Sequence, residues 1–349
     1  MSEKPCVVYF ERWAHPVALE RISALPHLEV QRLEVDAPRE ELWRAFERAH
    51  VYQIRSTRSE LPVEFTACGE FLARCPSLLA VSTQGSGSDT VDFDACTAAG
   101  VIVVNQAGGN KEAVVEHALG MMLCLTKRIL EADRAVRTVA ALDRHTLMGH
   151  DLYGRTLGIV GLGQVGTHLA RAARAAFAMR VIAYDPFIDD DAFADRGAER
   201  VDFATLLAQS DFISVHCPRN ASSEGLFNAA AFRAMQPHAY FVTTARGGIH
   251  DEGALAEALA AGELAGAGLD VWDPEPPALD HPLLALSNVI VSPHTAGVTH
   301  EARTNMAEQT VAQIDDIVRG KRPPRLLNPQ AWDRYAERFE RILGMRPTA

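Results

Sequence analysis

With 349 residues, 48% of them apolar and 23% charged, the chain is long enough for two domains of ordinary size and has a globular composition. Its net charge of −11 at pH 7 argues against nucleic acid or an anionic membrane as a default partner, although a local arginine can still hold an anion. The start shows no signal-peptide pattern and no apolar run of about 18 residues follows; the six cysteines, scattered without CxxC spacing, predict reduced thiols in a cytoplasmic protein and no metal site.

From the start to about residue 105, strand and helix signals alternate. Strands are predicted at Val7–Phe10, Leu28–Leu33, Val51–Ile54, Leu78–Ser82 and Val101–Val104. Helices are predicted at Val17–Ala24, Pro38–Ala49, Pro62–Arg74 and Val91–Ala99. Units of this length imply a parallel sheet covered on both faces. The Gly/Ser loop Gln84–Ser88 follows a strand, where ligands bind in open α/β sheets, and Ser86 and Gly87 expose N–H groups suited to a carboxylate. The bland alternative is a flexible connector. A long helix is then expected from Lys111 to about Ala140, buried along Val114, Ala118, Met121, Leu125 and Ile129.

The most informative stretch is Thr156–Asp185. A short apolar strand, Thr156–Val160, runs into Gly161-Leu-Gly163-Gln164-Val165-Gly166, then a helical pattern, then a second strand ending on Asp185. In that context Gly161 permits the tight turn, Gly163 lets backbone approach a pyrophosphate, and Gly166 lets helix and strand pack closely. The helix start offers N–H groups and its positive dipole end to phosphates. Asp185 lies 24 residues after Gly161, where a carboxylate accepts hydrogen bonds from ribose hydroxyls and repels a 2′-phosphate. No arginine follows it directly, so NAD is preferred over NADP.

Further βα alternation extends this sheet to six or seven parallel strands, and a helix is expected at Glu301–Arg319 and another within 331–343. Three strand ends carry reactive groups. Arg246, after Thr243-Thr244-Ala245, can hold a carboxylate with two parallel hydrogen bonds. Glu275 sits between prolines, and His294 ends another strand. If the two meet, the carboxylate stabilises the imidazolium, raises its pKa and selects which ring nitrogen faces the substrate. A histidine so placed gives a proton to a ketone oxygen or removes one from an alcohol. Each group alone reads more simply as a surface salt bridge or a solvated loop.

In combination these residues resemble the D-isomer-specific 2-hydroxyacid dehydrogenases. The match rests on Gly161–Gly166 with Asp185, His216-Cys217-Pro218, Thr244-Ala245-Arg246-Gly247, Gly268-Leu269-Asp270-Val271 through Glu275-Pro276, and Pro293-His294, Glu275 lying 29 residues after Arg246. The resemblance implies an α/β protein of two flavodoxin- or Rossmann-like domains with parallel sheets. Residues 1–107 and 299–349 would form the substrate-binding (catalytic) domain, and residues 108–298 the inserted NAD domain. Arg246, Glu275 and His294 would be the catalytic set. Gly161, Gly163, Gln164, Val165, Gly166, Asp185, Cys217, Pro218, Thr244, Ala245, Arg246, Asp270, His294 and Gly297 would contact NAD. Arg55, Ser86, Gly87 and Arg246 would bind a small 2-hydroxy or 2-keto acid of the phosphoglycerate or glycerate/hydroxypyruvate type, and the protein would be a homodimer through the NAD domain.

Departures bear on the substrate. Phosphoglycerate-type relatives place basic groups in an RSR pattern, whereas Arg55-Ser56-Thr57-Arg58 sets the second arginine one position later. No extension resembling a regulatory domain follows, and Glu275 stands where formate dehydrogenases of the superfamily use glutamine. Two other readings stay open: an NAD(H)-sensing regulatory protein of the corepressor type, and a phosphite dehydrogenase-like oxidoreductase.

Overall fold

The computed structural model describes residues 4–13, 15–56 and 60–348. The chain divides into two compact units, Met1–Asn110 with Thr299–Ala349, and Lys111–Val298. The first unit opens with β1 (Cys6–Phe10), α1 (Pro16–Ser23), β2 (Glu29–Leu33), α2 (Arg39–Arg48), β3 (Val51–Ile54), α3 (Gly69–Ala73), β4 (Ala80–Thr83), α4 (Phe93–Ala99) and β5 (Ile102–Val104). The five strands form one sheet, order β2-β1-β3-β4-β5, every neighbouring pair parallel. Strands β1, β3, β4 and β5 are buried along their whole length, as a sheet covered on both faces requires. An aromatic cluster packs on one face, with Phe46 and Phe65 stacked at 5.5 Å beside Phe10, Tyr52 and Phe71.

The helix expected at Pro62–Arg74 is instead two pieces, a 3-10 turn at Val63–Phe65 and α3. Between them Ala67 pairs with Val91, exchanging bonds with Thr90 O and Asp92 N. That bridge draws Ala67 out of helical pairing while Phe65 turns wholly into the aromatic core.

The second unit begins with α5 (Lys111–Thr126), buried as expected along Val114, Ala118, Met121 and Leu125. The single long helix ends there, because His150 N takes the Thr126 carbonyl and Arg128 adopts φ 52. The chain restarts as α6 (Ile129–Thr138), which has no buried residue, and Ile129 is exposed. Then follow β6 (Thr156–Val160), α7 (Gln164–Phe177), β7 (Arg180–Tyr184), α8 (Asp190–Asp195), β8 (Glu199–Arg200), α9 (Phe203–Gln209), β9 (Phe212–Val215), α10 (Ala229–Arg233), β10 (Tyr240–Thr243), α11 (Glu252–Ala260), β11 (Gly266–Leu269) and β12 (Val289–Val291). All seven strands are parallel, in the order β12-β11-β10-β9-β6-β7-β8. The order reverses between β6 and β9, which creates the crevice where doubly wound sheets bind ligands. The short α8 and edge strand β8 carried no clear periodic signal.

Buried His250 contributes to the acid sensitivity of this unit. His250 is 3% exposed, neither ring nitrogen has a hydrogen-bond partner, and burial lowers its pKa to about 4. The unfolded chain therefore binds a proton that the folded chain excludes between about pH 6.5 and about 4, and stability falls as pH drops through that window. A loss on the order of 3 kcal/mol is expected from this group. Denaturant titrations of His250→Leu should show a flatter acid limb by about that amount; an unchanged limb would place the acid sensitivity elsewhere.

The chain then returns to the first unit as α12 (His300–Val318) and α13 (Trp332–Leu343). Thr299 Oγ1 caps α12 by accepting from Ala302 N at 3.1 Å. Two side chains tie this segment down. Buried Asn328 accepts from Val103 N and donates to Val101 O, and Arg338 donates to the carbonyls of Leu78, Cys75, Pro76 and Ala99. Among the described residues no helix is long and apolar enough to cross a membrane.

Candidate active site

The glycine loop after β6 shows a distinct physical requirement at each glycine. Gly161 has φ +90, and a Cβ there would lie 2.6 Å from Cys217 N, at the end of the neighbouring strand β9. A Cβ on Gly166 would lie 2.2 Å from Gly161 O, so helix and turn can approach this closely only without one. A Cβ on Gly163 would meet nothing within 4 Å and no side-chain cap precedes α7, leaving open space at the helix N-terminus. Exposed Gln164 and half-buried Val165 open that helix. This is the cradle a pyrophosphate needs.

Asp185, at the end of β7, accepts from Leu162 N at 2.9 Å and from Phe187 N at 3.0 Å. Each bond engages one carboxylate oxygen and leaves each oxygen with a further lone pair. Beside it opens a cavity of about 430 Å³ lined by Tyr184, Asp185, Pro186, Arg200, Val201 and Asp202. Arg200, 15 residues beyond Asp185, is thus a guanidinium lining the same cavity as Asp185, which reading the residues next to Asp185 did not reveal. It is ion-paired to Asp190 and lies over the Phe193 ring.

At the ends of β9 and β10, Thr244 Oγ1 and Ser214 Oγ contact the two ring nitrogens of His216, at 3.4 and 2.8 Å. Enclosure by its neighbours lowers the His216 pKa to about 4, so the ring is neutral near pH 7 and serves as a hydrogen-bond bridge. Burial pushes the Cys217 thiol up to about 11, which keeps it protonated and unreactive. Pro218 is exposed at the start of the next loop, and its carbonyl accepts from Ser223 Oγ at 2.6 Å.

Buried Ala245 leads into half-buried Arg246, whose Nη1 donates to Ala245 O at 2.7 Å. A Cβ on Gly247 would lie 2.0 Å from Trp272 O, so the Arg246 loop and the loop carrying Glu275 touch backbone to backbone. Arg219 staples them from outside, donating to Gly247 O and pairing with Asp273 and Glu224.

Fully buried Asp270 organises the turn after β12. One carboxylate oxygen accepts from Ser292 Oγ at 2.6 Å and Thr295 N at 2.7 Å, the other from Ala296 N at 3.0 Å. His117 on α5 reaches the same Ser292 hydroxyl at 2.9 Å, a link that its helical position alone did not announce. The Asp270 carbonyl accepts from His294 N at 2.7 Å, and His294 is held at φ 55, a backbone region costly for a residue with a side chain. Gly297 closes the turn, half-buried.

Within this frame His294 Nδ1 and Glu275 Oε2 lie 3.0 Å apart. Glu275 Oε1 accepts from Trp272 N at 3.1 Å, and the Trp272 indole donates to Ser292 O. Burial alone would raise the Glu275 pKa. The hydrogen bond and charge of His294, the Trp272 N–H and the charge of Arg246 outweigh it and hold the carboxyl below its usual range. An ionised carboxylate only accepts, so Nδ1 carries the hydrogen, which leaves Nε2 as the ring nitrogen available for proton exchange. Arg246, Glu275 and His294 therefore share one electrostatic neighbourhood at the carboxyl ends of the strands.

In the first unit, the loop after β4 is held by Gln106, which accepts from Gly85 N, and by Asn105, which donates to Ser86 O. Ser86 and Gly87 remain partly accessible. Arg55 follows β3 but is 8% exposed, paired with Glu11 at 2.9 Å and with Glu60 at 3.6 Å. Two carboxylates on one guanidinium leave little field for a substrate phosphate. Arg58 lies outside the described residues.

Comparison with known proteins identifies the family. The NAD-binding domain of the D-isomer-specific 2-hydroxyacid dehydrogenases matches residues 119–296. D-3-phosphoglycerate dehydrogenase of Archaeoglobus fulgidus is 38% identical over 311 residues, 88% of this chain and 57% of that protein; the chain thus spans little more than half the length of the phosphoglycerate dehydrogenases it matches. Glyoxylate reductase of Korarchaeum cryptofilum is 38% identical over 264 residues, 75% of this chain and 79% of that protein. The structure of Aquifex aeolicus D-lactate dehydrogenase complexed with NAD and lactic acid superimposes with a TM-score of 0.76 at 26% identity, covering 90% of this chain and 96% of that one. The chain belongs to the family of D-isomer-specific 2-hydroxyacid dehydrogenases.

Proposed function

We propose that the protein is an NAD-dependent D-2-hydroxyacid dehydrogenase that interconverts a small 2-hydroxy acid and its 2-keto acid. The observation that carries this reading is the 3.0 Å Glu275–His294 pair with Arg246 beside it, in the same sheet as the glycine loop. The open face of Gly163, the uncapped start of α7 and the Asp185 carboxylate suit a dinucleotide. Bound there, the cofactor supplies or accepts the hydride. His294 Nε2 gives the proton to the keto oxygen or takes it from the hydroxyl, and Glu275 steadies the resulting charge. Arg246 holds the substrate carboxylate, while Asp270, through the turn it anchors, orients His294. Thr244, Ala245, Cys217, Pro218 and Gly297 line the cofactor, with the second unit as the NAD domain. The first unit contributes Ser86 and Gly87 as carboxylate contacts, and Arg55 supports that edge.

The protein works in the cytoplasm as a homodimer through the NAD domain. Exposed Ile129, Leu130 and Val136 on α6, with Val139, Met148 and Tyr153 after it, form an apolar surface suited to a second copy. None of the six cysteines is disulfide-bonded, which suits a reducing compartment.

The deciding experiment follows NADH and NADPH oxidation with hydroxypyruvate, glyoxylate, pyruvate, phenylpyruvate and 3-phosphohydroxypyruvate. Turnover is expected with at least one acid, and with NADH preferred because the Asp185 carboxylate repels a 2′-phosphate. Equal use of NADPH would show that Arg200 overrides Asp185. Silence across the panel despite tight NADH binding would reject the enzymatic reading.

A further inference from the structure

One line of side chains on α5 follows β11 step by step. Residues 117, 121 and 125 lie four apart and share one face of the helix. Residues 266, 268 and 270 alternate onto one face of β11 and its extension, which continues through the Asp270 N–H bond to Thr243 O. The two repeats match in length, since four helical residues rise about 6 Å and two strand residues about 6.6 Å. A Cβ on Gly266 would lie 3.3 Å from Leu125 Cδ2, and one on Gly268 would lie 3.0 Å from Met121 Cβ and Sδ. The two glycines thus let the helix come close. One step further along, His117 faces Asp270, with Nε2 3.8 Å from Oδ1. That gap is too long for a hydrogen bond, and the Ser292 hydroxyl bridges it.

Counting donors fixes the hydrogens in this bridge. The buried Asp270 carboxylate accepts from Ser292 Oγ, Thr295 N and Ala296 N. A serine hydroxyl has one hydrogen, and here it goes to Asp270 at 2.6 Å. Toward His117 Nε2, 2.9 Å away, the Ser292 oxygen therefore only accepts. His117 is thus held with a hydrogen on Nε2, and its donation polarises the hydroxyl toward Asp270. Packing by itself would be served by another Met or Leu, as at Met121 and Leu125. The stripe places a donor where the strand presents a carboxylate, and that carboxylate anchors the turn in which His294 is held at φ 55.

We propose that His117 is a positioning residue for the reaction: through Ser292 it fixes the Asp270 carboxylate, and with it the turn that carries His294. The proposal rests on the dehydrogenase reading above and adds to it a residue on α5 that acts through two others.

The test compares the wild type with His117→Phe, which keeps a ring and loses the donor, and His117→Gln, which restores a side-chain N–H. Ser292→Ala and the double variant His117→Phe/Ser292→Ala complete a cycle. With NADH and the best acid of the panel above, His117→Phe should lower kcat about tenfold or more. KM for that acid should stay within about threefold and the melting temperature within about 2 °C. His117→Gln should recover most of the loss. The double variant should lose no more than Ser292→Ala alone, because both substitutions break one link. Normal turnover in His117→Phe, an equal loss in His117→Gln, or losses that simply add would overturn the proposal. Imidazole nitrogen NMR of the wild type at about pH 8, with the His117 signal assigned by its absence in His117→Gln, needs neither turnover nor a folded Phe variant. A hydrogen on Nε2 that Ser292→Ala releases supports the bridge; a hydrogen on Nδ1 alone, or a tautomer mixture, rejects it. If no keto acid is turned over, the dehydrogenase reading fails separately, and this spectrum decides the bridge.

Discussion

His294→Asn is expected to lower kcat by about a hundred- to ten-thousandfold, the range for a lost acid–base group. Asparagine can still donate a hydrogen bond toward Glu275, so the local frame survives, but it has no nitrogen that exchanges a proton near neutral pH. The turn itself should persist, since its anchors are the Asp270 carboxylate on Thr295 N and Ala296 N and the Asp270 carbonyl on the residue 294 N–H. NADH affinity, measured by fluorescence titration, should therefore change little while turnover collapses. Near-normal turnover would remove His294 from the acid–base role. Parallel loss of NADH affinity would mean that the substitution had disturbed the fold of the turn.

The second large effect separates two glycines two residues apart. Gly161→Ala places a Cβ 2.6 Å from Cys217 N and 2.8 Å from Cys217 Cα at φ +90. Positive φ and the overlap together should cost about 2–5 kcal/mol, because backbone at the end of a buried strand yields little. Gly163→Ala meets nothing within 4 Å at φ −78, so stability should change by less than about 0.5 kcal/mol. Its effect should appear instead in dinucleotide affinity, reduced roughly tenfold or more, about 1.4 kcal/mol, because the methyl fills space reserved for phosphate. Thermal melts and NADH titrations of both variants check the contrast. A Gly163→Ala protein with normal affinity would sink the phosphate-cradle assignment.

Both parallel sheets were legible because they are built from short buried strands bounded by turn residues. Each such strand announces itself locally as an apolar run. The errors lie where a distant group competes for a backbone bond. Ala67 leaves the expected helix for a bridge with Val91, and Thr126 gives its carbonyl to His150 N, so the long helix stops 14 residues short of its expected end near Ala140. Helical periodicity continues through both places, since it reports side-chain pattern and not the partners of the main chain. Strand β8, two residues long, is too short to carry any period.

For the site, the residue types and their order were enough to single out Gly161, Gly163, Gly166, Asp185, Arg246, Glu275 and His294, because the chemistry of each depends on lying just beyond a strand. That position can be read from one stretch of chain. The protein's sequence by itself thus determined the two α/β sheets, the dinucleotide turn and the family. Only the tertiary structure decided which charges meet. It set Glu275 against His294 at 3.0 Å, enclosed Asp270 beneath the His294 turn, brought Arg200 to the Asp185 cavity, and engaged Arg55 with Glu11 and Glu60. The physical reason is range. Strand, turn and helix preferences act within a few residues, whereas electrostatic pairing depends on distances between strand ends that only the packed sheet sets.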